Sequence, residues 1–135
     1  MQVRDGMSEV SLTVGPSHTL RQAAACMVER GTGAALVSDA ESPAPGIVTE
    51  RDLLISVAAG EDPDVELVAE HMSERVIAAA PDWSLERAAV EMSRRGVRHL
   101  VVVDGPDVVG VLSMRDIVRC WTSEGATSEM EALRR

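Results

Sequence analysis

Phenylalanine and tyrosine are absent from this 135-residue chain, and Trp83 and Trp121 are its whole aromatic complement. Stacking on nucleic-acid bases therefore has almost no side chains to work with. Positive charge is also short: 13 Lys and Arg stand against 22 Asp and Glu, a formal net charge of -9. That balance argues against a general nucleic-acid or anionic-membrane surface. It leaves room for a local anion site, because salt screens a distant field and a helix start with one Arg can hold an anion. Cysteine occurs only as Cys26 and Cys120, in no metal-ligand spacing, so free thiols in a reducing cytosol are expected. Residues 1–7 contain Arg4 and Asp5 and no apolar core, and no apolar run approaches the length of a membrane span. Neither a secretory leader nor a membrane anchor is expected, and the expected location is cytoplasmic.

What is present is a 45% hydrophobic composition, enough for a real core in one compact unit or two small halves. A repeat is also present. A shift of 65 lays Met7-Ser8-Glu9 on Met72-Ser73-Glu74, Pro16 on Pro81, Leu20 on Leu85, Met27 on Met92 and Arg30-Gly31 on Arg95-Gly96. The stretches Gly46–Asp52 (G-I-V-T-E-R-D) and Gly110–Asp116 (G-V-L-S-M-R-D) align with a shift of 64, so the second copy is one residue shorter in the preceding loop. Agreement at this many spaced positions is a strong repeat signal.

Each copy reads as β-α-β-β-α. A short strand (Val10–Val14; Val76–Ala79) ends near Pro16 or Pro81. Thr19 or Ser84 then stands at a helix N-cap, with Gln22 completing a capping box in the first copy. The helices span Leu20–Arg30 and Leu85–Arg95, with Leu20, Ala23 and Met27 on one face matched by Leu85, Ala88 and Met92, and Gly31 and Gly96 as stops. Strands follow at Ala34–Ser38 and Leu100–Val103, then at Gly46–Val48 and Val108–Leu112, each leading into a last helix (Arg51–Ala59; Arg115–Trp121). The expected fold class is α+β, with small sheets flanked by helices. The expected division is repeat 1 over 1–59, a linker over 60–69, repeat 2 over 70–121 and a polar tail over 122–135, with a short helix at Glu129–Arg135.

This ordered set of motifs resembles a tandem pair of CBS domains, a Bateman module. The carrying residues are the opening M-S-E, the mid-repeat glycine before a strand ending in Asp, and the closing G-[apolar]-[apolar]-S/T-x-x-D, each present twice. The resemblance covers Val3 to Trp121. It implies a pseudo-two-fold pair of repeats whose two clefts hold an adenosine-containing ligand: AMP, ADP or ATP, or alternatively S-adenosylmethionine or NAD. It also implies a homodimer. No cofactor is required on this reading; the nucleotide is a regulatory ligand.

The residues allow two readings of the closing turn. Thr49…Asp52 and Ser113…Asp116 are adequate as plain capping boxes. They are equally suited to a nucleotide. A carboxylate has two oxygens for the two hydroxyls of a ribose, and a hydroxyl beside the free N–H groups of a helix start suits a phosphate. Arg51 and Arg115 would add a charge-assisted contact or face solvent. By the resemblance, Arg98 and His99 also line a cleft, where they would meet phosphate. Their equivalents in the first repeat, Gly33 and Ala34, carry no charge, so the two sites are expected to be unequal, with the Asp116 site the tighter. Leu12 and Ile77 (with Val10 and Val76) would pack against the adenine. His18 and His71 stand beside turns in no metal spacing, and no metal ligand is expected.

Three functions follow in order of support. The first is a non-enzymatic nucleotide sensor. The second is a dimerisation or protein-interaction module with empty clefts and a separate protein partner. The third is an enzyme, for which no Ser-His-Asp, Cys-His or metal constellation is present.

Overall fold

The computed structural model of the chain describes residues 1–9, 12–40 and 45–124. The expected helix at Glu129–Arg135, and Val10 and Ser11 of the first expected strand, lie outside the described residues. The elements in chain order are α1 (Val3–Gly6), β1 (Ser8–Glu9), β2 (Thr13–Val14), α2 (Leu20–Arg30), β3 (Ala34–Val37), β4 (Gly46–Thr49), α3 (Glu50–Ala58), a 3-10 turn at Val68–Glu70, β5 (Ala78–Ala79), α4 (Leu85–Arg95), β6 (His99–Asp104), β7 (Asp107–Ser113) and α5 (Met114–Glu124). The class is mixed α+β, as the sequence indicates.

The helices α2 and α4 have the expected bounds because both ends are chemically marked. Thr19 and Gln22 form a reciprocal capping box: Gln22 N donates to Thr19 Oγ1 at 3.2 Å and Thr19 N donates to Gln22 Oε1 at 2.9 Å. Ser84 Oγ accepts from Arg87 N at 3.1 Å. Gly31 and Gly96 end the helices at φ 64 and 66, the left-handed conformation in which a side chain is unfavourable. The opening strands β2 and β5 are shorter than expected. Each pairs only with the parallel strand beside it before Pro16 or Pro81 is reached, although Leu12 O and Ile77 O extend the pairing by accepting from Leu36 N and Val101 N. The helices α3 and α5 begin one residue earlier than expected, and α5 runs past Trp121.

The chain forms two compact units, one from the described residues of 11–76 and the other from those of 1–10 and 77–135. They are called here the repeat-1 and repeat-2 units. The first has a three-stranded sheet, β2-β3-β4, and the second a four-stranded sheet, β1-β7-β6-β5. Each has its own core: Leu20, Ala23, Met27, Val37 and Val48 in one, Leu85, Met92, Leu100, Leu112 and Ile117 in the other.

The compact units divide the chain differently from the sequence copies at 1–59 and 70–121, because the opening segments are exchanged. Met7-Ser8-Glu9 starts the first copy, yet β1 pairs antiparallel with β7 of the second (Ser8 with Val111, Glu9 with Gly110). Reciprocally, Ser73 makes an antiparallel bridge to Ile47 of β4, with Ile47 N to Ser73 O at 3.0 Å and Ser73 N to Ile47 O at 2.8 Å. Two glycines permit this. A Cβ on Gly110 would stand 2.6 Å from Ser8 O and 2.9 Å from Met7 Sδ, and one on Gly46 would stand 3.1 Å from both Met72 Sδ and Ser73 O. The segment 60–69, expected as a linker, packs on the repeat-1 unit together with residues 70 and 71. Leu20 N donates to Glu66 O at 3.0 Å and Val68 N to His18 O at 2.8 Å, and Val68 is fully buried.

Candidate functional site

Each unit ends its antiparallel hairpin in the same way. In the repeat-1 unit β4 runs beside β3 with Thr49 opposite Ala34. Thr49 has extended backbone at the N-cap of α3 (φ -123, ψ 165). Asp52 folds back so that its Oδ2 accepts from Thr49 N at 2.8 Å and from Thr49 Oγ1 at 3.1 Å. In the repeat-2 unit β7 runs beside β6 with Ser113 opposite His99. Asp116 Oδ2 accepts from Ser113 N at 2.8 Å and Ser113 Oγ accepts from Asp116 N at 3.0 Å. Both turns are therefore helix caps. Capping does not exhaust them, since a carboxylate has about four lone-pair positions.

The remaining carboxylate oxygens differ. Asp116 is buried, and its Oδ1 meets Arg119 Nη1 at 3.2 Å. Arg119 Nη2 in turn donates to Gly6 O at 3.3 Å, which anchors the guanidinium on the exchanged segment. Asp52 is half-buried, and its Oδ1 has no bonding partner among the described residues. The position three residues after Asp52 is Ile55, so α3 has no counterpart of Arg119. Arg119 was missed in the sequence, although its i,i+3 spacing from Asp116 on one helix was a usable signal.

The helix-start amides are less open than the sequence suggests. The first is occupied in both units: Glu50 N donates to Gly33 O and Met114 N to Arg98 O, each at 2.9 Å. The phosphate expectation therefore loses the first amide in each turn, the Asp116 amide to Ser113 Oγ and the Thr49 hydroxyl proton to Asp52 Oδ2, and rests chiefly on Arg51, Arg115 and Arg98. All three are exposed and bond no described residue through their side chains. His99 is half-buried at the start of β6. Arg98, His99, Ser113 and Asp116 thus gather at one end of the β6–β7 hairpin. Gly33, Ala34, Thr49 and Asp52 gather at the matching end of β3–β4. There the Glu50 carboxylate lies over Gly33, so that a Cβ on Gly33 would meet Glu50 Oε1 at 2.9 Å. No sequence signal marked Glu50, whose counterpart is the neutral Met114. Leu12 packs half-buried on the repeat-1 core and Ile77 on the repeat-2 core. Val10 lies outside the described residues.

Two compact α+β units, each with a parallel opening strand, a hairpin and an Asp-capped closing helix, define a tandem-repeat module. The chain belongs to the CBS domain family, which it matches twice, over residues 2–59 and 68–122. Among curated relatives, the uncharacterised protein MK0525 of Methanopyrus kandleri is 33% identical over 122 residues, covering 89% of this chain; the chain spans 62% of that protein's length. The CBS domain-containing protein YhcV of Bacillus subtilis is 32% identical over 130 residues, covering 95% of this chain and 91% of its own. Among solved structures, the CBS domain protein PAE2072 of Pyrobaculum aerophilum, complexed with AMP, is 27% identical with a TM-score of 0.75, covering 86% of this chain and 89% of that one.

Proposed function

We propose that the chain is a non-catalytic regulatory module that binds an adenosine-containing nucleotide of the AMP, ADP or ATP class through the closing turns of its repeats. The observation that carries this is the Asp52 carboxylate. One of its oxygens is fixed by two bonds from Thr49 while the other has no partner among the described residues. A carboxylate held rigid with an open oxygen is preorganised for a ribose hydroxyl, so ordering of this side chain adds little to the cost of binding. The family membership and the AMP-bound relative support the same ligand class. Arg98, Arg115 and Arg51 supply charge for phosphate, and Leu12 and Ile77 apolar surface for adenine. Because Arg119 already occupies Asp116 Oδ1, the preference for the tighter site moves from the Asp116 turn to the Asp52 turn.

The test is direct titration with AMP, ADP, ATP, NAD and S-adenosylmethionine, read by calorimetry and by thermal shift. A ligand at about 100 times its Kd should add about 2.7 kcal/mol of stability. Asp52→Ala removes a charge-assisted bond, so affinity should fall about 10- to 100-fold, and by more than in Asp116→Ala. An unaltered affinity in the Asp52→Ala, Asp116→Ala double variant would remove the ribose assignment. No response to any of the five ligands at millimolar concentration would remove the sensor reading.

The exposed apolar side chains of α3 and α5 favour a protein interface as well. Leu54 is 67%, Ile55 57% and Val57 59% exposed on α3, and Val118 51% and Trp121 42% on α5. Side chains of this size on both closing helices suit a homodimer contact. Sedimentation should show a dimer in the parent chain and a monomer in Leu54→Glu with Val118→Glu; a monomeric parent would refute it. No helix among the described residues is long and apolar enough to cross a membrane, and we place the module in the cytoplasm.

A further inference from the structure

Glu61, Glu66 and His71 are spaced five residues apart, a period that matches neither a helix face nor a strand face. The fold nevertheless brings them together. Glu61 N is tied to Ser56 O at the end of α3 by a 3.1 Å bond. Val65 N and Glu66 N both turn back to Asp62 O, at 3.0 and 2.9 Å. Glu66 O accepts from Leu20 N of α2 at 3.0 Å. His71 N closes the 3-10 turn on Val68 O at 3.0 Å. One ligand atom from each of the three side chains lies within 4.8 Å of the other two. His71 Nε2 stands 2.9 Å from Glu66 Oε1, with the two side chains 15% and 20% exposed.

An imidazole–carboxylate pair accounts for His71 and Glu66 but not for Glu61. One oxygen of its exposed carboxylate lies within 4.8 Å of a Glu66 oxygen, in a chain of net charge -9, and bonds no described side chain. Like charges at this spacing repel, and a cation held between them removes the repulsion. Nor does an arginine supply it: the segment contains none, and Arg21 of α2, which reaches this segment, is paired with Asp64.

We propose that Glu61, Glu66 and His71 form a divalent transition-metal site that pins the inter-repeat segment to the repeat-1 unit. Two carboxylate oxygens neutralise the ion's charge and the imidazole nitrogen selects its softness. Zn2+, Co2+ or Mn2+ fits this set, whereas Ca2+ and Mg2+ prefer oxygen alone. Three protein ligands leave a position for water. Tetrahedral bonds of about 2.1 Å put ligand atoms about 3.4 Å apart, and the exposed Glu61 side chain is free to close that distance. In the metal-bound form His71 Nε2 gives up its bond to Glu66 and carries its proton on Nδ1.

The experiment is titration of the full chain with Zn2+ and Co2+ in the absence of nucleotide, by calorimetry and Co2+ absorption. One ion per chain should bind. The Co2+ spectrum should lack a thiolate charge-transfer band, since no cysteine is in the set. Ca2+ at equal concentration should compete at least 100-fold more weakly. Glu61→Gln, at an exposed side chain that bonds no described side chain, should weaken Zn2+ at least tenfold, and His71→Ala should abolish the stoichiometric site. Glu70→Gln, an exposed carboxylate of the same segment, should leave it unchanged. Equal binding in Glu61→Gln, a thiolate band, or equal competition by Ca2+ would each overturn the site. The outcome is independent of the nucleotide reading, because none of the three residues belongs to either turn.

Discussion

Removing residues 1–9 should loosen the repeat-2 unit and leave the repeat-1 unit folded. The first nine residues belong by sequence to the first copy, so a reading confined to sequence expects the opposite. The reason lies in the exchanged segment. Val3 is fully buried among Leu85, Met92, Leu112 and Ile117. Its N donates to Trp83 O at 2.8 Å, Arg4 N donates to Pro81 O at 3.0 Å, and Leu85 N reaches back to Met1 O at 3.2 Å. Burial of one valine contributes about 1.5–3 kcal/mol, and each backbone bond about 0.5–1.5 kcal/mol net. A loss of about 4 kcal/mol or more is expected from these together, a large share of what a small domain has. Hydrogen exchange read residue by residue is the suitable measurement. Amides of Leu100–Val102 and of β7 should lose protection while those of Ala35–Val37 and Val48 keep theirs. Loss confined to the latter group would refute the exchange. Val3→Asp gives the same answer without shortening the chain.

The second large effect is expected at Gly110. Its missing Cβ leaves the space through which β1 passes, and the obstructing atom, Ser8 O at 2.6 Å, is backbone that cannot rotate away. In Gly110→Val, β1 must lift from β7, giving up the Ser8–Val111 and Glu9–Gly110 pairing and the seat of Met7. Overpacking of this kind costs about 1–3 kcal/mol and more where backbone must move; about 3 kcal/mol or above is expected here, as a lower urea midpoint. Gly46→Ala should cost less, about 1–2 kcal/mol. Its contacts are longer at 3.1 Å, and one of them, Met72 Sδ, is flexible. A Gly110→Val variant as stable as the parent would show that β1 does not hold its place in solution.

These two glycines show how far the sequence reading goes. Both were visible as the first residue of a repeated turn, and so was Met7 as the counterpart of Met72. That Gly110 is small because Met7-Ser8 crosses it, and Gly46 because Met72-Ser73 does, was not legible. The segments that meet are about 100 residues apart in one case and about 26 in the other, and no local preference couples them. The turn itself was read correctly as a helix cap, since hydroxyl and carboxylate lie three residues apart. The two turns were expected to be unequal because of Arg98 and His99; the structure adds a second difference, Arg119 on Asp116, whose guanidinium also bonds Gly6 O from a segment remote in sequence. His71 was set aside because its sequence neighbours carry no ligand spacing. Only the folding of the 60–71 segment onto α2 and α3 places Glu61 and Glu66 beside it.

The sequence by itself determined the repeat, the α+β class, both long helices with their caps, and the Asp-bearing turns. All of these depend on groups within a few residues of one another, where periodicity and capping chemistry act. Only the tertiary structure decided which copy each opening segment serves, which carboxylate keeps an open oxygen, and which donors converge around His71. Those follow from contacts between residues remote in sequence, chosen by burial and close approach, to which local patterns are blind.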